Sequence, residues 1–150
     1  MITQRDVRKL LIKYRDTVQA LKKLGIIKTS NVVSGYGEYV AMRKLGLKLQ
    51  KTGNKGFDGV DKNGKKYEIK SRKATEWNNP TVFPMKKDHL KYFDYLVYTG
   101  FDDDWNLIHL LKIPRSSVKP NMHNRVIVNQ ELIRKFDILE TTNRMKPLLK

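Results

Sequence analysis

Gly56–Lys73 reads GFDGVDKNGKKYEIKSRK, and the fold of the chain turns on how this stretch pairs with itself. Asn63-Gly64 is a turn pair, because glycine accepts the positive φ that tight turns need. From Lys66 to Arg72 charged and uncharged side chains alternate strictly, the period of a strand. Tyr67, Ile69 and Ser71 therefore point to one face, and Lys66, Glu68, Lys70 and Arg72 to the other. Where Asp58 stands depends on the loop, since a shift of one residue turns a strand's side chains over. A two-residue loop at Asn63-Gly64 sets Asp58 opposite Ile69. A three-residue loop, Lys62-Asn63-Gly64 with Gly64 left-handed, sets it opposite Glu68.

In the second register two carboxylates face each other, repel, and require either a shared proton or a cation between them. Hard oxygen donors without cysteine or a histidine cluster suit Mg²⁺ or Mn²⁺, which keep several waters and accept phosphate oxygens as further ligands. Such an ion lowers the pKa of a bound water and stabilises charge developing on a phosphate. Lys70, on the same face, is placed to orient that water. The stretch thus predicts a metal-dependent nuclease centre, against the plainer alternative of an exposed hairpin whose charges face water.

Composition favours a polyanionic partner. Lysine and arginine number 31 against 15 acids, a formal charge of +16 over 150 residues. That excess points to nucleic acid, although basic surfaces also bind anionic membranes. Cysteine is absent, which excludes disulfides and thiolate metal sites. No long apolar run and no secretory signal are present, so one cytoplasmic domain spanning 1–150, with no membrane segment, is expected.

Thr3, with Asp6 at the third position, caps a predicted helix over 3–24, with Val7, Leu10, Leu11, Tyr14, Val18, Leu21 and Leu24 at helical spacing. Its near-heptad stripe suits packing on its own domain, the preferred reading, or pairing with a second copy. A second helix runs from Ser34 to Gly46. It carries Glu38 on the face of Ala41, Met42 and Leu45, where an acid needs a partner: a neighbouring Lys or Arg, or a metal shared with Asp58 and Glu68. Gly35 and Gly37 leave room at the helix start for another backbone or a phosphate. Leu47–Gln50 is a short strand, and Lys51–Lys55 a polar turn into the hairpin. In the irregular segment Ala74–Pro80, Trp77 either stacks on a base or covers the core edge. Val82–Met85 is a brief strand or loop, and Lys86–Phe93 a short helix offering Lys86, Lys87 and Lys91 to phosphates. Asp94–Phe101 and Leu107–Pro114 are strands joined by a solvated turn. Arg115–Met122 is a linker or short helix. Arg125–Val128 is a strand, Gln130–Phe136 a helix capped by Asn129, and the end from Arg144 a basic tail. His89, His109 and His123 have no ligand spacing and are assigned to no metal.

The order helix, strand, hairpin, helix, strand, strand over Ser34–Pro114, with Glu38, Asp58, Glu68 and Lys70 in these places, resembles the PD-(D/E)XK nuclease superfamily. That group includes type II restriction endonucleases and archaeal Holliday junction resolvases. NVVSGYGEYVAMRKLGLKL, KGFDGVDKNGKKYEIKSRK and FDYLVYTGFDDDWNLIHLLKIP are similar to small bacterial and phage proteins of that superfamily. Phe57 stands where the superfamily's name has Pro. The resemblance implies an α/β, restriction endonuclease-like fold with a mixed central sheet flanked by helices. It implies that Asp58 and Glu68 bind Mg²⁺, with Mn²⁺ as a substitute, that Ile69 is also a metal position, that Lys70 positions the water, and that Glu38 adds an outer contact. The activity implied is hydrolysis of duplex or branched DNA to leave 5′-phosphates, by a homodimer, with Arg72, Lys73, Lys86, Lys87 and Trp77 on the nucleic acid. The rivals are a basic binding module without catalysis, and a nuclease directed at RNA.

Overall fold

A computed structural model of the chain describes residues 1–51, 53, 56–73 and 81–139. Trp77 and the tail from Arg144 lie outside these residues. Three α-helices are present among them: α1 (Gln4–Lys23), α2 (Val32–Leu45) and α3 (Gln130–Phe136). The strands are β1 (Lys48–Leu49), β2 (Gly59–Val60), β3 (Lys66–Lys73), β4 (Thr81–Pro84), β5 (Tyr95–Phe101), β6 (Leu107–Pro114) and β7 (Arg125–Val128). The protein is therefore mixed α/β. One sheet has the order β1-β2-β3-β5-β6, and β4 and β7 form a separate antiparallel pair. Within the large sheet β3 and β5 run parallel and the other neighbours antiparallel, so the sheet is mixed.

Helix ends follow the capping residues. The Thr3 hydroxyl accepts from the Asp6 N–H, and the Asp6 carboxylate accepts from the Thr3 N–H at 3.1 Å, a reciprocal cap that fixes the start of α1. Asn31 caps α2 by accepting from the Ser34 N–H at 3.1 Å, so this helix begins two residues before Ser34. Gly46 ends it with φ at +65°. Asn129 caps α3 through the Leu132 N–H.

Alternation along the strands divides the core in two. Tyr67, Ile69, Val97 and Leu110 face α2 and pack with Ala41 and Leu47. Leu96, Tyr98, Leu111 and Ile113 face the other way, against Phe83 and Met85, Phe93, the β7 valines and Ile133 of α3. Helices thus cover both faces. The approach of α2 to the sheet is closest at Gly37, where an added Cβ would overlap the side chains of Ser71 and Thr99. Gly35 is also tight, against Ile27. Both glycines therefore serve packing of α2, and Gly35 also lines the cavity that holds Glu38 and Asp58.

The first helix departs from the sequence reading. Its stripe does not pack on the domain: Val18 alone is buried on α1, and Leu10, Leu11 and Tyr14 are 67%, 62% and 59% exposed. No helix among the described residues is long and apolar enough to cross a membrane.

Candidate active site

Asp61 sets the register on which the site depends. Its carbonyl accepts from the Gly64 N–H at 3.0 Å. Its carboxylate accepts from the N–H groups of Asn63 and Lys65 at 2.8 and 2.9 Å. These bonds close a three-residue loop in which Gly64 takes φ +77°. Gly59 then pairs with Tyr67, which sets Asp58 opposite Glu68, as the longer loop requires. The Asp58 N–H donates to the Tyr67 carbonyl at 2.8 Å. One carboxylate oxygen of Asp58, Oδ2, accepts from the Ile69 N–H at 2.7 Å.

Glu68 is a buried acid, 6% exposed. Its Oε1 meets Lys70 Nζ at 2.7 Å and lies 3.4 Å from His89 Nε2. Burial first, and then the charge of Glu68, push the Asp58 carboxyl up to about 6. The Ile69 N–H and Lys70 pull it down, and Glu38 adds to the rise. In the absence of a bound cation, Asp58 is thus a carboxylate short of positive charge.

Glu38 reaches the same edge of the sheet but has a cation of its own. Its Oε2 lies 3.5 Å from Lys28 Nζ, which also donates to the Gln50 carbonyl at 2.6 Å. The partner that an acid on this helix face needs is a lysine from the α1–α2 connection. Glu38 and Asp58 still border one cavity of about 160 Å³, with Lys28, Lys51 and Phe57 in its wall. On the side of Glu68, a larger cavity of about 590 Å³ is lined by Lys70, Lys86, His89, His123 and Arg125 among others. The carboxylates therefore stand between two openings with cationic walls.

Of the expected phosphate contacts, Lys86 lines the larger cavity, while Lys87 is exposed and outside its lining. Arg72 donates to the Val82 carbonyl at 3.3 Å and ties β3 to β4. Lys73 leaves the site: its ammonium sits 4.9 Å over the Trp105 ring and 3.4 Å from Asp103. Strand alternation explains this correction, since Lys73 shares its side of β3 with Tyr67 and Ile69 and not with Glu68. His89, His123 and Arg125 carry no spacing signal that would have found them. A 3-10 helix over Lys87–Tyr92 and the start of β7 bring them to Glu68 from far along the chain.

Among the described residues no three acid or histidine side chains are grouped so as to hold a metal ion by themselves. A magnesium ion needs fewer, being commonly bound by one or two carboxylates, with waters and substrate phosphate completing its shell. Asp58 and Glu68 supply such a pair. Ile69 can add only its carbonyl, which leaves the strand on the same side as the N–H bound to Asp58. The donors are all hard oxygens, and the raised Asp58 carboxyl is what a cation there would relieve, so the residues fit a small divalent ion.

No family model and no curated protein matches the chain.

Proposed function

We propose that the protein is a Mg²⁺-dependent DNA endonuclease with a restriction endonuclease-like fold, of the PD-(D/E)XK kind. The observation that carries this reading is that Asp58, just before β2 and bonded to the Ile69 N–H, lies close enough to buried Glu68 to feel its charge, with Lys70 on Glu68 at 2.7 Å. Asp58, Glu68 and the Ile69 carbonyl would hold the ion, which when bound supplies Lewis-acid stabilisation of charge on the phosphate. Lys70, fixed by Glu68, orients the attacking water and offsets negative charge as the phosphorus becomes five-coordinate. His89 holds Glu68 from the other side. Water adds to phosphorus and the bond to the 3′-oxygen breaks; a proton from that water ends on the 3′-hydroxyl, and the 5′-phosphate remains. Lys86 and Arg125 in the larger cavity, and Lys28 and Lys51 in the smaller, neutralise neighbouring phosphates without reading sequence.

The Lys28–Glu38 pair favours a second reading, a phosphate-binding module without catalysis, because it withdraws one of the acids assigned to the metal. The test is cleavage of supercoiled plasmid and of a four-way junction in Mg²⁺, Mn²⁺ or EDTA, with Asp58→Ala and Glu68→Ala beside the wild type. The nuclease predicts cutting by the wild type only, only with metal, and DNA binding kept or tightened in both variants. Metal-independent binding with no cutting of either substrate would support the module.

A further inference from the structure

The apolar stripe of α1 is left over after the domain has folded. α1 has 20 residues, a rod about 30 Å long. A surface helix with an apolar stripe normally buries that stripe against a partner. Val7, Leu10, Leu11, Tyr14 and Leu24 are all exposed, and together present roughly 500 Å², near the upper end of the largest patch a monomer carries. From the geometry we infer that this stripe is the dimer interface: two copies of α1 pair antiparallel.

The sequence of α1 describes the occupant. Val7, Tyr14 and Leu21 take one seam position of a heptad, and Leu10, Thr17 and Leu24 the other. Leu11 widens the seam on one side, while Val18, a turn further on, is buried against the domain. Arg8, Lys9, Arg15, Lys22 and Lys23 fall on the far side of the helix, and of the basic residues of α1 Lys13 alone borders the seam. Two such patches bury about 1,000 Å², the size at which specific interfaces begin.

Direction follows from where the domain sits. Among the described residues, α1 is buried at Val18 and half-buried at Leu21, toward its C-terminal end, and an antiparallel pair sets the two bodies at opposite ends of the rod. With Val7 beside the partner's Leu24, it also brings the middle of the second copy, Leu10 to Tyr14, over a groove of about 480 Å³ walled by Tyr14, Thr17, Val18, Leu21, Val32 and Trp105. The N-terminal end of one helix then lies beside the C-terminal end of the other, which opposes the helix dipoles favourably. None of this depends on the nuclease reading.

The test uses the full chain. Light scattering should give twice the chain mass of 17.6 kDa for the wild type and a single chain mass for Leu10→Glu/Tyr14→Glu. Both side chains are exposed in the single chain, so its circular dichroism should not change. The chain has no cysteine, so each single-cysteine variant carries one thiol. Val7→Cys mixed with Leu24→Cys should cross-link under copper–phenanthroline, and Leu10→Cys alone should not. A wild type that stays at single-chain mass up to its solubility limit would overturn the pairing. So would a mass unchanged by the double variant, or binding of the stripe to phosphatidylserine vesicles in place of dimerisation. Self-linking of Leu10→Cys would overturn the antiparallel direction.

Discussion

Replacing Asp58 by asparagine should stabilise the protein, and by an amount that grows with pH. In the folded chain the Asp58 carboxyl is raised from 3.8 to about 6, by burial and then by Glu68. Below 3.8 both the folded and unfolded chains hold the proton, and the group contributes nothing. Between 3.8 and about 6 the unfolded chain has released it while the folded chain keeps it, so stability falls as pH rises; above about 6 the whole deficit is present. The gap, at 1.36 kcal/mol per pH unit, amounts to about 3 kcal/mol. Asparagine keeps the shape and the acceptor for the Ile69 N–H but carries no charge. Metal-free Asp58→Asn should therefore match the wild type near pH 4 and exceed it by about 3 kcal/mol at pH 8, or roughly 6–12 °C in melting temperature for a chain of this size. Urea denaturation in EDTA across that range measures the difference directly. Adding Mg²⁺ at pH 8 should raise the wild type and leave the variant nearly unchanged, because the cation removes the cost of ionising Asp58. A difference that is flat with pH, or a variant less stable at pH 8, would refute the electrostatic account of the site.

Three further outcomes follow from named contacts. Gly37→Ala forces a methyl against Ser71 and Thr99 where α2 crosses the sheet, and should cost about 1–3 kcal/mol in urea denaturation, because both neighbours are held by their own hydrogen bond of 2.8 Å. Asp137→Ala removes the acceptor of the Leu110 N–H (3.2 Å) and the Leu139 N–H (3.0 Å) and the partner of His109 Nδ1 (2.8 Å). It should cost about 1–3 kcal/mol, and faster amide exchange at Leu110 would locate the loss. His89→Gln, on the nuclease reading, should raise the half-saturating Mg²⁺ concentration or lower cleavage by roughly 10–100-fold with the melting temperature unchanged, since His89 acts by holding Glu68.

Local chemistry was legible along the chain and arrival from a distance was not. The hairpin could be read because Asn63-Gly64 and the alternation of Lys66–Arg72 are short-range signals, and the facing of Asp58 and Glu68 required one loop length, which Asp61 enforces through three hydrogen bonds. The caps at Thr3 and Asn129 are equally local. By contrast, the period of α1 says that one face is apolar but not what covers it, so packing on the domain was expected where the stripe is exposed. Lys28 reaches Glu38 from the connection before α2, and His89 reaches Glu68 from a 3-10 helix after β4. Neither approach leaves a trace in residue spacing. Lys73 is the exception, since strand parity alone places it away from Glu68.

On the proposed reading, the distribution of charge couples the binding of metal and of phosphate. The chain carries a net +16, yet Glu38 and Asp58 line one cavity, Glu68 lines the other, and the charges of Glu38 and Glu68 both act on Asp58. A divalent cation approaching alone is attracted by the carboxylates but opposed by the basic surface around them. A phosphate approaching alone is drawn by Lys70, Lys86 and Arg125 but repelled by Asp58 and Glu68. Each ligand removes the repulsion felt by the other, so on the proposed reading metal and DNA bind with positive coupling, reciprocal by thermodynamic necessity. The same balance gives Lys70 its position: its bond to Glu68 holds the ammonium over the place where phosphate and carboxylate would otherwise repel. Fold and site are thus linked through one loop, because only the register set by Asp61 and Gly64 brings the two carboxylates close enough for that coupling to exist.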